Sequence, residues 1–112
     1  MLAYHVALRK HLTSILQLGL TPRTEANAAR YGEQGDAVYC FTSMASCEDA
    51  LMNWLGEIFE EDESLIILTV RIDGLKTRPV EVEWEVAILE TVSPERIVGA
   101  VDEAGAPVPL AG

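Results

Sequence analysis

The spacing of apolar residues along the chain predicts several strands and two main helices. Runs rich in β-branched residues predict strands at residues 2–6, 37–41, 64–72 and 97–101. Apolar residues that recur every three or four positions predict helices within residues 9–20 and 42–59. Together these elements predict an α+β fold.

The stretch Pro79–Ser93 carries the clearest strand pattern in the chain. Its apolar and acidic residues alternate, so a strand here places the two sets on opposite faces. The apolar set is Val80, Val82, Trp84 and Val86, and the acidic set is Glu81, Glu83 and Glu85. Two interpretations stay open. The glutamates keep a half-solvated edge strand soluble, or one of them is a site carboxylate whose neighbours tune it.

Local signals mark the ends of the helices and the irregular segments. Gly19 is placed to end the first helix as a left-handed cap. Ser46, three residues before Asp49, predicts the start of the second helix as a variant of the capping box. Residues 21–36 predict a long irregular loop, of a kind that is often functional or mobile. The Gly/Pro-rich tail at 104–112 frays or adds one edge piece.

Length and charge narrow the class of protein. A chain of 112 residues is large enough for one core, so we expect a single domain. Its 18 acidic and 8 basic residues give a net charge of −10, which disfavours nonspecific nucleic-acid binding. This charge suits a cytoplasmic protein, and it also suits an acidic inhibitor that imitates nucleic acid and binds a basic protein partner. No apolar run approaches the roughly 20 residues of a membrane span, so we expect no membrane association.

The remaining motifs exclude several chemistries. Cys40 and Cys47 lack a CxxC spacing and predict two free thiols in a reducing compartment. The two cysteines and two histidines match no common zinc spacing, so we expect no metal site. The sequence has no phosphate loop, no GxGxxG, no GxSxG and no HExxH.

One arrangement spans almost the whole chain. A strand with a histidine (AYHVA) and the helical stretch HLTSILQLGLTPR precede an irregular loop, and a strand then runs into a helix (AVYCFTSMASCEDAL). A buried strand (LIILTVRIDGL) leads to the glutamate strand, which closes in EVAILETVSPERI. Over about residues 3–101, this order resembles the ADP-ribosyltransferase superfamily in its compact His-Tyr-Glu branch. The resemblance implies a small split β-sheet core with two main helices.

The resemblance also implies an NAD site. It implies that Glu85 is the catalytic carboxylate, with Glu83 as auxiliary acid. It implies that His5 hydrogen-bonds the adenosine ribose and that an aromatic residue stacks on nicotinamide. The other implied cofactor-binding residues are Tyr39 or Tyr31 for the stack, Thr42 and Ser43 after the second strand, and Arg23 or Arg30 for the pyrophosphate. Under this interpretation His5, Tyr39 and Glu85 meet in one cleft.

The chemistry agrees with these residue types. Cleavage of the nicotinamide–ribose bond builds oxocarbenium character, which a fixed carboxylate stabilises. The resemblance therefore implies an NAD-dependent mono-ADP-ribosyltransferase that modifies a protein or nucleic acid, as a toxin, an effector or a phage-encoded modifier. The alternative is a non-enzymatic acidic interaction protein that uses the same fold. A related RNA phosphotransferase is a weaker third possibility, because that chemistry relies on several arginines and this chain has few.

Overall fold

The structure is a computed structural model that describes residues 1–21, 37–53, 64–78 and 84–110. Its strands form one antiparallel sheet. They are β1 (Leu2–Leu8), β2 (Val38–Phe41), β3 (Leu65–Arg71), β4 (Thr77–Arg78), β5 (Glu85–Ile88) and β6 (Ile97–Asp102). Their order in the sheet is β4-β5-β2-β1-β3-β6. The helices are α1 (Leu12–Leu18) and α2 (Met44–Asn53), with single 3₁₀ turns at Arg9–His11 and Pro94–Arg96. The predicted α+β class is confirmed.

The hydrophobic runs account for most of these elements. The five predicted strands are present, the glutamate strand as β5 within the described part of its predicted range, and β1 extends two residues beyond its predicted end. β3 is buried along nearly its whole length, as its unbroken β-branched run indicates. β4 lies in a segment whose sequence predicts only a turn, and its two residues pair with β5. The predicted second helix is seen as far as Asn53, and its remainder lies outside the described residues.

The sheet carries apolar residues on both faces. On one face, called here the α1 face, Ala3, Ala7, Cys40, Leu68 and Ile88 pack with Ile15 of α1. On the other, called here the α2 face, Tyr4, Val6, Phe41 and Ile67 pack with Cys47 and Ala50 of α2. Successive residues of a strand point to opposite faces, so a register shift of one residue exchanges the two sets.

At the centre of the sheet, β1 pairs extensively with β3 on one side and only briefly with β2 on the other, within the described residues. β1 pairs with β3 through seven residues, from Leu2 to Leu8. β1 and β2 share one registered pair, Tyr4 with Phe41, within the described residues. A side-chain bond reinforces this junction, because His5 Nδ1 lies 2.8 Å from the Tyr39 carbonyl oxygen. A carbonyl oxygen only accepts, so the Nδ1 atom carries the proton in this bond.

The end of α1 requires a glycine, although not as the left-handed cap that the sequence predicts. Gly19 has φ of 81° and ψ of −168°, which lies outside the left-handed helical region. A Cβ atom at Gly19 would lie 2.1 Å from the Val92 carbonyl oxygen. That oxygen accepts the Leu20 amide in a two-way bridge between Leu20 and Val92. The glycine thus lets the chain leave α1 in close contact with the segment after β5.

The N-cap of the second helix lies three residues before the predicted one. Ser43 Oγ accepts the Ser46 amide at 3.1 Å, so Ser43 is the N-cap of α2. Ser46 Oγ in turn accepts a hydrogen bond from Ser43 Oγ at 2.9 Å. The prediction that Ser46 caps this helix is therefore wrong, because Ser43 already accepts the hydrogen bond from a free amide of the first turn. Neither helix of the described part is long and apolar enough to span a bilayer.

Candidate functional site

Glu85 is the first residue of β5 and lies half-buried on the α2 face. Its partner across the strands is Phe41, the last residue of β2. The pairing continues for one more step, since the Thr42 amide donates to the Trp84 carbonyl oxygen at 2.9 Å. The backbone of Glu85 is therefore fixed on both sides of the residue. Its side chain lies on the same face as that of Phe41, directly across the two paired strands.

Glu85 lies next to an aromatic pair, since Trp84 precedes it in the chain and Phe41 is its cross-strand partner. The rings of Phe41 and Trp84 are stacked, with centroids 5.7 Å apart and an interplanar angle of 17°. Trp84 retains 37% of its surface exposed, whereas Phe41 retains 7%. The alternation in the sequence groups Trp84 with Val86, but Trp84 lies in the turn before β5 and its ring joins Phe41 instead. An exposed stacked ring beside a carboxylate gives a flat apolar surface next to a negative charge.

Tyr39 occupies the same face, two residues before Phe41. Its partner on β5 is Ala87, and the partner of Ala87 on β4 is Arg78. The three residues thus form one row across the strands. The Arg78 Nη2 atom donates to the Tyr39 hydroxyl oxygen at 2.9 Å, which closes the row above the fully buried Ala87.

Thr42 and Ser43 follow β2, as the resemblance requires, but part of their hydrogen-bonding capacity is already used. Ser43 caps α2 and bonds to Ser46 through its hydroxyl group. The backbone of Thr42 extends the pairing between β2 and β5. Both side chains are half-buried at the end of β2 next to Phe41. Their predicted contact with a cofactor stays a prediction.

His5 does not share a face with Glu85. It pairs with Leu68 and lies between Ala3 and Ala7, all of which belong to the α1 face. The residue that pairs with Phe41 is Tyr4, so the α2 face receives Tyr4 in place of its neighbour. The expected cleft shared by His5 and Glu85 is therefore not formed by this strand register. The imidazole contacts the strand that carries Tyr39 through the Tyr39 carbonyl oxygen.

The two cysteines lie close to these residues and are uncharged. Burial raises the pKa of the Cys47 thiol to about 12, and Glu48 adds to the effect. Burial also raises the pKa of Cys40 far above its ordinary value, with further contributions from Cys47 and Glu85. Both thiols are free and buried. Neither has the thiolate character that nucleophilic or metal chemistry requires.

Four predicted site residues, Glu83, Arg23, Arg30 and Tyr31, lie outside the described residues, as does most of the predicted loop at 21–36. Three others emerge from the structure alone: Phe41, Trp84 and Arg78. Phe41 lies two positions after Tyr39 in a strand, a spacing that places both on one face. Arg78 belongs to a segment that the sequence presents as a turn, so nothing in its local pattern marks it.

The described strands and α-helices follow the order histidine strand, helix, strand, helix, buried strand, short edge strand, glutamate strand and closing strand. No protein-family model matches the chain, and no curated protein matches its sequence.

Proposed function

We propose that this chain is an NAD-dependent mono-ADP-ribosyltransferase of the compact His-Tyr-Glu type, with its site on the α2 face around Glu85. The observation that carries the proposal is the position of Glu85 at the start of β5, where its cross-strand partner is Phe41 of the stacked Phe41–Trp84 pair. The element order and the adjacency of β1, β2 and β5 in the sheet support it.

The proposed reaction uses these groups in distinct roles. The bond between the ribose C1′ atom and the nicotinamide nitrogen breaks, and nicotinamide leaves with the bonding electron pair. Glu85 stabilises the positive charge that develops on the ribose. A nucleophilic atom of the macromolecular acceptor forms the new bond to C1′ and gives up its proton, for which Glu85 is the nearby base. Phe41, Trp84 and Tyr39 supply the apolar wall for the nicotinamide ring.

His5 has a changed role in this proposal. From the α1 face, it holds the Tyr39 carbonyl oxygen and so positions β2 against β1. It acts as a positioning residue for the aromatic wall. The contact with the adenosine ribose that the family resemblance implies is not required.

The direct test is incubation of the protein with labelled NAD and a bacterial lysate. The wild type is expected to transfer label or to hydrolyse NAD. Glu85→Gln is expected to lower the rate at least about 100-fold, as for loss of a group that stabilises transition-state charge. Glu95→Gln is the matched control, because it removes one carboxylate from an exposed site in the 3₁₀ turn before β6. A wild-type protein that neither transfers label nor hydrolyses NAD contradicts the proposal.

A second candidate is a non-enzymatic acidic interaction protein. The net charge of −10 favours it, and so does the separation of His5 from Glu85 by the sheet. This candidate predicts association with a basic protein partner that weakens strongly as salt rises. It also predicts that Glu85→Gln and Glu95→Gln weaken this association equally, since each removes one charge. Catalysis that depends on Glu85 decides between the two candidates.

A further inference from the structure

Arg78 lies in an unusual setting for a cation in this chain. It sits half-buried on the short edge strand β4, and its side chain crosses above Ala87 to reach the Tyr39 hydroxyl group. Acidic residues outnumber basic ones 18 to 8, yet this guanidinium donates to a neutral oxygen. Among the residues that the structure describes, it forms no ion pair with a carboxylate.

The bond to Tyr39 fixes the guanidinium without neutralising it. A guanidinium has five N–H donors in a planar fork that matches phosphate geometry, and a neutral phenol occupies one of them. The guanidinium of Arg78 therefore keeps its positive charge, and the hydrogen bond to Tyr39 fixes its orientation. A half-buried, oriented cation binds an anion more strongly than one on a freely moving side chain, because less conformational entropy is lost on binding.

The position of Arg78 relates it to Glu85. Both lie on the α2 face, one strand apart, and Ala87 is two residues beyond Glu85. Standard strand spacings place the two Cα atoms about 8 Å apart. Over that separation, a glutamate side chain can reach the ribose of a ribose phosphate while an arginine side chain reaches its phosphate. A sugar held at the carboxylate thus has its phosphate near the guanidinium.

We propose that Arg78, held in place by Tyr39, forms a phosphate-binding subsite on the α2 face. Its ligand is a phosphate or pyrophosphate group, either free or carried by a nucleotide. The assignment of the pyrophosphate of NAD to this subsite rests on the proposed function. Binding of the anion itself does not.

The test compares Arg78→Gln with Arg71→Gln in calorimetric titrations. Arg71 is an exposed arginine of β3, so its substitution removes the same charge from a surface position. The probes are inorganic pyrophosphate, ADP-ribose and nicotinamide. Arg78→Gln is expected to weaken pyrophosphate and ADP-ribose about tenfold or more, as for loss of a hydrogen bond to a charged group. Nicotinamide affinity is expected to stay unchanged, and Arg71→Gln is expected to behave as the wild type.

A further variant separates binding from a purely structural role. Tyr39→Phe removes the hydroxyl group that orients Arg78 and keeps the ring, so pyrophosphate affinity is expected to fall by less than in Arg78→Gln. If both variants lose stability and bind pyrophosphate as the wild type does, the pair is structural and the subsite is wrong.

The outcomes for the subsite and for the proposed function are distinct. Unchanged affinities in a folded Arg78→Gln protein overturn the subsite, even where label transfer upholds the proposed function. Binding of pyrophosphate that depends on Arg78, without any binding of ADP-ribose, supports the subsite and contradicts the proposed function. A wild-type protein that binds neither anion overturns the subsite.

Discussion

The surroundings of Glu85 depend both on a local sequence pattern and on the pairing of its strand with a distant one. The alternation with Val86 predicts correctly that the two side chains point to opposite faces. The residue opposite Glu85 is not encoded locally, because the register of β2 against β5 depends on pairs that form between distant segments. That register brings Phe41 beside the carboxylate and places Tyr39 one row further along.

The buried thiols give a prediction at the same scale. Cys40 and Cys47 have pKa values that are raised in the folded protein, whereas an unfolded thiol has a value of about 8.5. Below that pH both states carry the proton, so the contribution of the thiols to stability is fully present. As the pH rises toward about 12, where Cys47 titrates in the folded state, only the unfolded protein loses its thiol protons. The free energy of unfolding therefore falls by up to about 1.4 kcal/mol per pH unit for each thiol.

Urea unfolding of the wild type and of Cys47→Ala between pH 8 and 9.5 checks this expectation. The variant is expected to lose less stability over this interval, since one of the two thiols is gone. Equal slopes in the two proteins would contradict a protonated Cys47. In the folded protein at pH 8, iodoacetamide is expected to leave both residues unmodified.

At the scale of elements, the junction between β1 and β2 is the feature that the sequence could not show. The strands themselves follow from their hydrophobic runs, and β3 is buried as its composition predicts. The contact of His5 with β2 depends on which residue of β1 pairs with Phe41. A shift of one position would have put the imidazole on the α2 face with Glu85, as the family resemblance implies. Pattern alone cannot choose between two registers that both bury apolar residues.

Substitution of His5 tests its role at this junction. His5→Phe keeps a ring of similar size and removes the donor to the Tyr39 carbonyl oxygen. We expect it to lower the free energy of unfolding by about 1–2 kcal/mol, because a half-buried carbonyl loses its partner. His5→Asn carries an amide donor near the position of Nδ1 and is expected to recover part of the loss. Urea denaturation measures both effects, and the expectation fails if His5→Phe is as stable as the wild type.

At the scale of the whole molecule, the two faces of the sheet differ in what they carry. The α1 face holds the larger part of the core, including residues from β6 and from the tail after it. The α2 face is packed by α2 across β1 and β2, and it carries Glu85, Phe41, Tyr39 and Arg78 on the side of β5 and β4. Composition predicts a globular acidic protein, but not this division, which arises from the pleat and the pairing of distant strands. The central claim is that ligand binds on the α2 face.

Alanine methyl groups report directly on that claim. Ala87 lies on the α2 face between Tyr39 and Arg78, whereas Ala3 and Ala7 lie on the α1 face beside His5. The most direct measurement is a methyl NMR titration of alanine-labelled protein with ADP-ribose. A saturable shift of the Ala87 methyl signal, with little change at Ala3 and Ala7, is the predicted result. A shift confined to Ala3 and Ala7, or no shift at any of the three methyl groups, would contradict the account.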